Sequence, residues 1–211
     1  MNANFPACTR IENQDAFHGC YNLSTISFPV CTYVGQDAFE SCSALTSVYF
    51  PECTTLSYGA FRYCTSLTYA NFPKTTTIGY VTFGNDPKLT SVSAPKCTQI
   101  LSNAFISCHA LSIASFSLCT MISSSAFRYC SSLTTISFPK VTTIGSTAFR
   151  DCTHLQSANF PACKTIQNYG FTNCIGMTTI SFPVCTAMGS ATFNACSNLA
   201  TVDFPKLTTI T

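Results

Sequence analysis

The 211-residue sequence has no tryptophan, and only 9% of its residues are charged, 10 Lys and Arg against 8 Asp and Glu. An average globular chain carries about 25% charged residues, so the fields that steer charged partners are weak here. A net charge of +2 argues equally against a nucleic-acid binder held by a basic surface. Long apolar runs are missing too. Each is cut within a few residues by Ser, Thr or Pro, far short of the roughly 20 residues that a membrane-spanning helix needs. Met1 is followed by Asn2-Ala3-Asn4, with neither the basic stretch nor the apolar segment of a secretion signal. There is no Cys-x-x-Cys pair among the 15 Cys, which removes the commonest zinc and redox spacings. Catalytic groups are few. His18, His109 and His154 stand where no nucleophile and orienting acid accompany an imidazole, so neither an enzyme nor a cofactor is expected.

What the sequence has is a period. Pro29, Pro51, Pro73, Pro95, Pro139, Pro161, Pro183 and Pro205 fall on one 22-residue grid, with Ser117 at the vacant point and Pro6 lying 23 before Pro29. Phe precedes the grid point nearly every time, Ala94 being the substitution, and a second Phe column runs from Phe17 to Phe193. The two columns account for all 18 Phe. The cysteines split likewise, Cys53 and its equivalents two after the proline, Cys64 and its equivalents three after the second Phe. A fixed period of this length is the mark of a solenoid.

Within one unit, Val48-x-Phe50 with Leu45 three before suits a short strand whose Ser47 and Tyr49 point outward. After it, Leu56, Phe61, Cys64 and Leu67 are spaced 5, 3 and 3, which predicts a helical or 3₁₀ turn rather than a second full strand. Stacked coils would place their strands in parallel about 4.8 Å apart, about nine coils in all. The proline after each strand, lacking an N–H, ends the ladder at one edge.

The unit Leu-x-x-Ile-x-Phe-x-x-Cys-x-x-Ile resembles the leucine-rich repeat. Its second half, as in Ile144-Gly145-Ser146-Thr147-Ala148-Phe149-Arg150-Asp151-Cys152-Thr153-His154-Leu155, is similar to the BspA-like class of that repeat. The resemblance covers nearly the whole chain. It implies a repeat solenoid over residues 1–211, horseshoe-like and α/β, with a parallel sheet on one face and short helical turns on the other. It also implies a non-enzymatic adhesion module at the cell surface or secreted, of the kind found on anaerobic host-associated bacteria and parasitic protists, with a protein or glycan ligand. No catalytic residue is carried over by it.

Departures from the repeat gather between Pro73 and Pro95, where Thr75 and Asp86 fill the two Cys columns, Pro87 intrudes and Ala94 replaces Phe. A Phe-to-Ala change at a core site removes about 3–5 kcal/mol of packing, so a loosened coil is expected there, with Asp86 turned outward as a turn or cap residue.

The cysteines read best as small, soft, buried residues between Phe layers. Disulfides between coils would need Cβ atoms aimed at each other, whereas stacked columns set them side by side. So many free thiols fit a reducing or anaerobic setting better than an oxidising one.

Candidate binding residues are aromatic and basic. The outward strand positions form a surface of hydroxyls and amides on which Tyr49 and Tyr69 lie diagonally on neighbouring strands, with Asn71 beside them, as a platform for a sugar or peptide. A second patch is offered by Tyr58 above Tyr80, by Arg62-Tyr63, and by Arg128-Tyr129 stacked against Arg150. Asp15 and Asp37, one period apart, could share a calcium ion or stand as two exposed acids on a corner. Asn22-Leu23-Ser24 is a glycosylation sequon whose Leu is needed in the core. Neither end carries a polar capping helix, which such arrays normally need. Open parallel edges would then invite end-to-end self-association, so a subunit that stacks into a filament is the alternative to an adhesion module.

Overall fold

The computed structural model describes residues 1–211, except the side chain of Ser115. The chain winds as a solenoid in which every coil has three hydrogen-bonded sides. On the first, three-residue strands run from Asn2–Asn4 to Thr201–Asp203, each centred on the inward residue of the alternation, as in Ser47–Tyr49 where only Val48 is buried. On the second, two-residue strands from Arg10–Ile11 to Thr209–Ile210 form one unbroken parallel ladder of ten. Threonine reinforces this side. The Thr54 hydroxyl donates to the Thr32 carbonyl at 3.1 Å, and Thr98 to Thr76 likewise.

The third side is where the sequence expectation fails. Among the described residues there is no helix, and the predicted helical turn is a bent segment such as residues 59–63. Its N–H groups at Gly59, Phe61 and Tyr63 donate to the carbonyls of Tyr80, Thr82 and Gly84 in the next coil, at 2.9, 2.9 and 3.0 Å. Gly59 and Tyr63 both adopt the left-handed conformation, each with φ 60°, which interrupts any helix. Cys64 N–H then donates to the Phe61 carbonyl at 3.4 Å and Leu67 to Cys64 at 2.8 Å. These successive tight turns produce the three-residue spacing that mimics a 3₁₀ helix.

The core between the sides is two stacks of rings. Phe39 lies 5.2 Å from Phe61 in one stack and Phe50 lies 5.7 Å from Phe72 in the other. The stacks meet edge to face, Phe50 against Phe61 at 5.8 Å and 63°, a geometry the ring quadrupoles favour. None of the fifteen cysteines is in a disulfide. Those of the first column donate within their own coil, Cys53 Sγ to the Thr55 carbonyl at 3.2 Å, and those of the second donate to the preceding coil, Cys64 Sγ to the Phe39 carbonyl at 3.2 Å.

The coil between Pro73 and Pro95 is not loosened. Its strand Ser91–Ser93 pairs with a strand on each side, because the rungs are made by backbone groups that the side-chain changes leave intact. Thr75 is buried and replaces the thiol, donating to the Cys53 carbonyl at 2.8 Å. Asp86 does not turn outward. It fills the cysteine's place, fully buried, with both carboxylate oxygens unpartnered. Burial holds its carboxyl well above the usual carboxylate range.

Breaks occur elsewhere. The three-residue strands form four separate sheets, interrupted between Thr25–Ser27 and Ser47–Tyr49, between Ile113–Ser115 and Thr135–Ser137, and between Ser157–Asn159 and Thr179–Ser181. Rings of the Phe stack behind this side stand 5.6, 6.2 and 5.9 Å apart at those places. Paired strands need about 4.7–4.9 Å, yet Phe50 and Phe72 stand 5.7 Å apart behind strands that do pair, so ring spacing alone does not set where the ladder parts.

Candidate binding surface

The register fixes the aromatic platform. Ser47 pairs with Tyr69 and Tyr49 with Asn71, which places the two tyrosines across a diagonal of one parallel pair, 56% and 41% exposed. The flanking outward positions, such as Ser47, Thr135 and Thr179, are exposed hydroxyls. Charge is nearly absent from this face. Asp203 is the one acid among its strands, and its Oδ2 accepts from Ser181 at 2.9 Å.

The second patch lies on the bent side of the coil, so the structure does not bring it together with Tyr49 and Tyr69. Tyr58, Tyr63 and Tyr80 are exposed there. The Arg62 guanidinium sits 4.8 Å over the Tyr63 ring and donates to Glu40 Oε1 at 2.7 Å. Arg128 covers Tyr129 at 4.6 Å and donates to its hydroxyl at 2.8 Å. Arg150, its stacking partner by period, pairs with Asp151 at 3.3 Å. Arg62 is therefore paired within the chain, whereas Arg128 meets no acid and its Nε, like that of Arg150, is buried without a hydrogen-bond partner. Sequence reading passed over Glu40, which is buried beside Arg62. The signal was there, since Glu40 and Arg62 are opposite charges one 22-residue period apart, as are Glu52 and Lys74.

Asp15 and Asp37 are not two exposed acids on a corner. Asp37 is buried, accepts from Gln36 Nε2 at 3.1 Å and leaves Oδ1 unpartnered, while Asp15 lies 3.8 Å from His18 Nδ1. His18 also approaches Glu40 at 3.7 Å. Among the described residues no three His, Cys, Asp or Glu gather to hold a metal ion. His154 Nδ1 meets the Ser131 carbonyl at 2.8 Å, a contact between coils. No helix among the described residues is long and apolar enough to cross a membrane.

The BspA type leucine rich repeat region matches residues 2–112 and 120–211, in 6 copies. The chain belongs to this family. BspA-type repeats share the leucine-rich repeat fold, generally a scaffold for protein interaction rather than catalysis. A leucine-rich repeat protein of T. pallidum matches at 22% identity with a TM-score of 0.60, over 83% of this chain and 77% of that one. The Toll–Spatzle complex of Drosophila matches at 13% identity and 0.56, over 95% of this chain but 27% of the other. A leucine-rich cell surface protein from Faecalibacterium prausnitzii matches at 20% identity and 0.46, over 97% and 79%. At these identities the likeness is one of fold. No curated protein matches the chain.

Proposed function

We propose that this BspA-type array is a non-enzymatic interaction module, at a cell surface or secreted, which binds a protein or glycan of a host or neighbouring cell through its three-residue-strand face. The observation that carries this reading is the diagonal pair of exposed rings, Tyr49 and Tyr69, set in register on a rigid ladder with Asn71 between them. Two rings fixed by backbone pairing lose little freedom on contact, and their apolar bodies with polar tips suit sugar faces and peptides alike. On the bent side Arg62 is already paired with Glu40, so it contributes less to a partner. A surface location is supported by membership of the BspA-type family.

The experiment is to screen the purified chain against glycan arrays and host matrix proteins, then repeat the leading interaction with Tyr49→Ala plus Tyr69→Ala. Loss of about 2 kcal/mol or more of binding is expected, as for paired aromatic hot spots. A Tyr58→Ala plus Tyr80→Ala control should bind normally. The reading fails if the control abolishes binding and the Tyr49 and Tyr69 changes do not.

A further inference from the structure

One column of the bent side carries charge that is paired at one end and unpaired at the other. Glu40 and Arg62 hold the same position in successive coils, and their side chains meet at 2.7 Å. Arg128 and Arg150 stand in that same relation, one period apart. Their coils are in register, since the Tyr129 N–H donates to the Arg150 carbonyl at 2.9 Å, and the Phe127 and Phe149 rings beneath are 5.3 Å apart. Two like charges thus occupy the positions that hold an ion pair in the earlier coils. Like charges facing across a rung are destabilising, and a counter-charge would relieve them.

The chain supplies only half of that counter-charge. Residues 87–211 hold seven Lys and Arg against two acids, Asp151 and Asp203. Asp203 belongs to the three-residue strands, where it accepts from Ser181. Asp151 lies 3.3 Å from Arg150 Nε without forming a hydrogen bond to it, and its Oδ1 accepts from Asn173 at 2.8 Å. Arg128 has only the Tyr129 hydroxyl, to which its Nη2 donates. Among the described residues, Arg128 Nη1 and both terminal nitrogens of Arg150 make no hydrogen bond, and unlike the two Nε atoms they are not shut away from solvent. Two guanidinium groups and one carboxylate leave one excess positive charge, with free donors in both coils.

We propose that Arg128 and Arg150 together bind a sulfate ester of a glycan, the sulfate bridging the two guanidinium groups. Charge selects the group. A sulfate ester carries one negative charge, which matches the single excess positive one, whereas a phosphate monoester carries about −1.5 to −2 at neutral pH and would meet Asp151 as well. Shape selects it too, because one guanidinium takes both oxygens of a carboxylate, while the three outer oxygens of a sulfate divide between two arginines. The neighbouring column reads Ser107, Tyr129, Asp151 and Asn173. Arg128 already covers the Tyr129 ring, which leaves a sulfated peptide no ring to stack on, while the Ser107 hydroxyl and Asn173 carbonyl suit sugar hydroxyls. The site goes beyond the reading above. It lies on the bent side, apart from Tyr49 and Tyr69, and its failure would leave their role untouched.

The test is an NMR titration of the full chain at low salt, following the arginine Nε–H signals, with N-acetylglucosamine 6-sulfate as the probe. The Arg128 and Arg150 signals should shift saturably, with a dissociation constant of about 1–10 mM, and unsulfated N-acetylglucosamine should move neither. Arg128→Gln and Arg150→Gln should each weaken binding about ten-fold or more, the scale of a lost charge-assisted hydrogen bond. Both variants should fold, because Ile106 and Thr172 hold the same position in the flanking coils. Lys140→Gln removes an equal charge from an exposed corner and should leave binding unchanged. Absence of saturation, indifference to both arginine variants, or an equal loss in Lys140→Gln overturns the proposal. Equal or tighter binding of inorganic sulfate or of N-acetylglucosamine 6-phosphate also overturns it. Tighter binding of tyrosine O-sulfate does so as well, by assigning the pair to a protein ligand.

Discussion

The Sγ of Cys130 lies 3.2 Å from the carbonyl oxygen of Phe105, 25 residues earlier in the chain. The thiol fills the gap beside the ring stack and ties one coil to the one before it. The same bond recurs at Cys108, Cys152 and Cys174. Cysteine here is a small apolar residue with a weak donor, repeated because the coil repeats.

Reactivity should follow burial. The thiolate is the nucleophile, and burial pushes the thiols of Cys42, Cys53, Cys119 and Cys163 up to about 12. Iodoacetamide should alkylate the partly buried Cys8 and Cys20 first and leave those four unmodified. Cys196, whose thiol the adjacent Cys174 thiol holds below its ordinary value, should follow next. Intact-protein mass spectrometry after iodoacetamide treatment counts the adducts. Early labelling at Cys53 or Cys119 would show that the coils open in the native state.

Asp86 should make stability fall as pH rises. Its folded carboxyl is held above its unfolded value by burial. The folded state therefore binds the extra proton, and stability is full below the ordinary carboxylate range and lost as pH climbs toward the raised value. Replacing it with the cysteine that the column otherwise carries, Asp86→Cys, should stabilise the chain at neutral pH by about 1–3 kcal/mol, the cost of an unsatisfied buried polar group. The gain should shrink near about pH 4. Urea unfolding at the two pH values measures it, and an equal gain at both would show that ionisation is not the cause.

Val81 holds a left-handed conformation at φ 55°, costly for a branched side chain. The equivalent residue one coil on is Asn103, at φ 60°, a type that tolerates this region. Val81→Asn should raise thermal stability by about 1 kcal/mol. A lower melting temperature by calorimetry would mean that Val81 packing outweighs the backbone strain.

The period, the two Phe stacks, the outward face and the diagonal of Tyr49 and Tyr69 were legible because each is a column, and a column in a 22-residue grid is a line in space. The bent side was not legible. Left-handed residues such as Ser41, Tyr63 and Ala195 share no side-chain chemistry, since the conformation is imposed by hydrogen bonds to the next coil. Asp86 was misread because an isolated acid is ordinarily solvated, whereas here the coils on either side enclose its position. The ladder breaks were hidden for another reason. Each break is flanked by one of the three strands whose inward residue is Ile, at Ile26, Ile136 and Ile180, but the same strands pair normally on their other side, so the residue alone does not announce a break.

On the bent side, every N–H that leaves a coil points toward the following one and every carbonyl that receives it points back, as with Phe61 and Thr82, Phe83 and Ala104, and Phe105 and Ala126. In an ordinary sheet the peptide dipoles of neighbouring residues oppose one another and nearly cancel. Along this side they add, as they do in a helix, but across coils instead of along a single turn of chain. That side is therefore electrically polar along the solenoid axis, positive toward the C-terminal coils, while the N–H groups of Thr54, Ser57 and Thr68 point the opposite way, to the carbonyls of Thr32, Val34 and Thr46 in the preceding coil, so the sides of one coil offset each other.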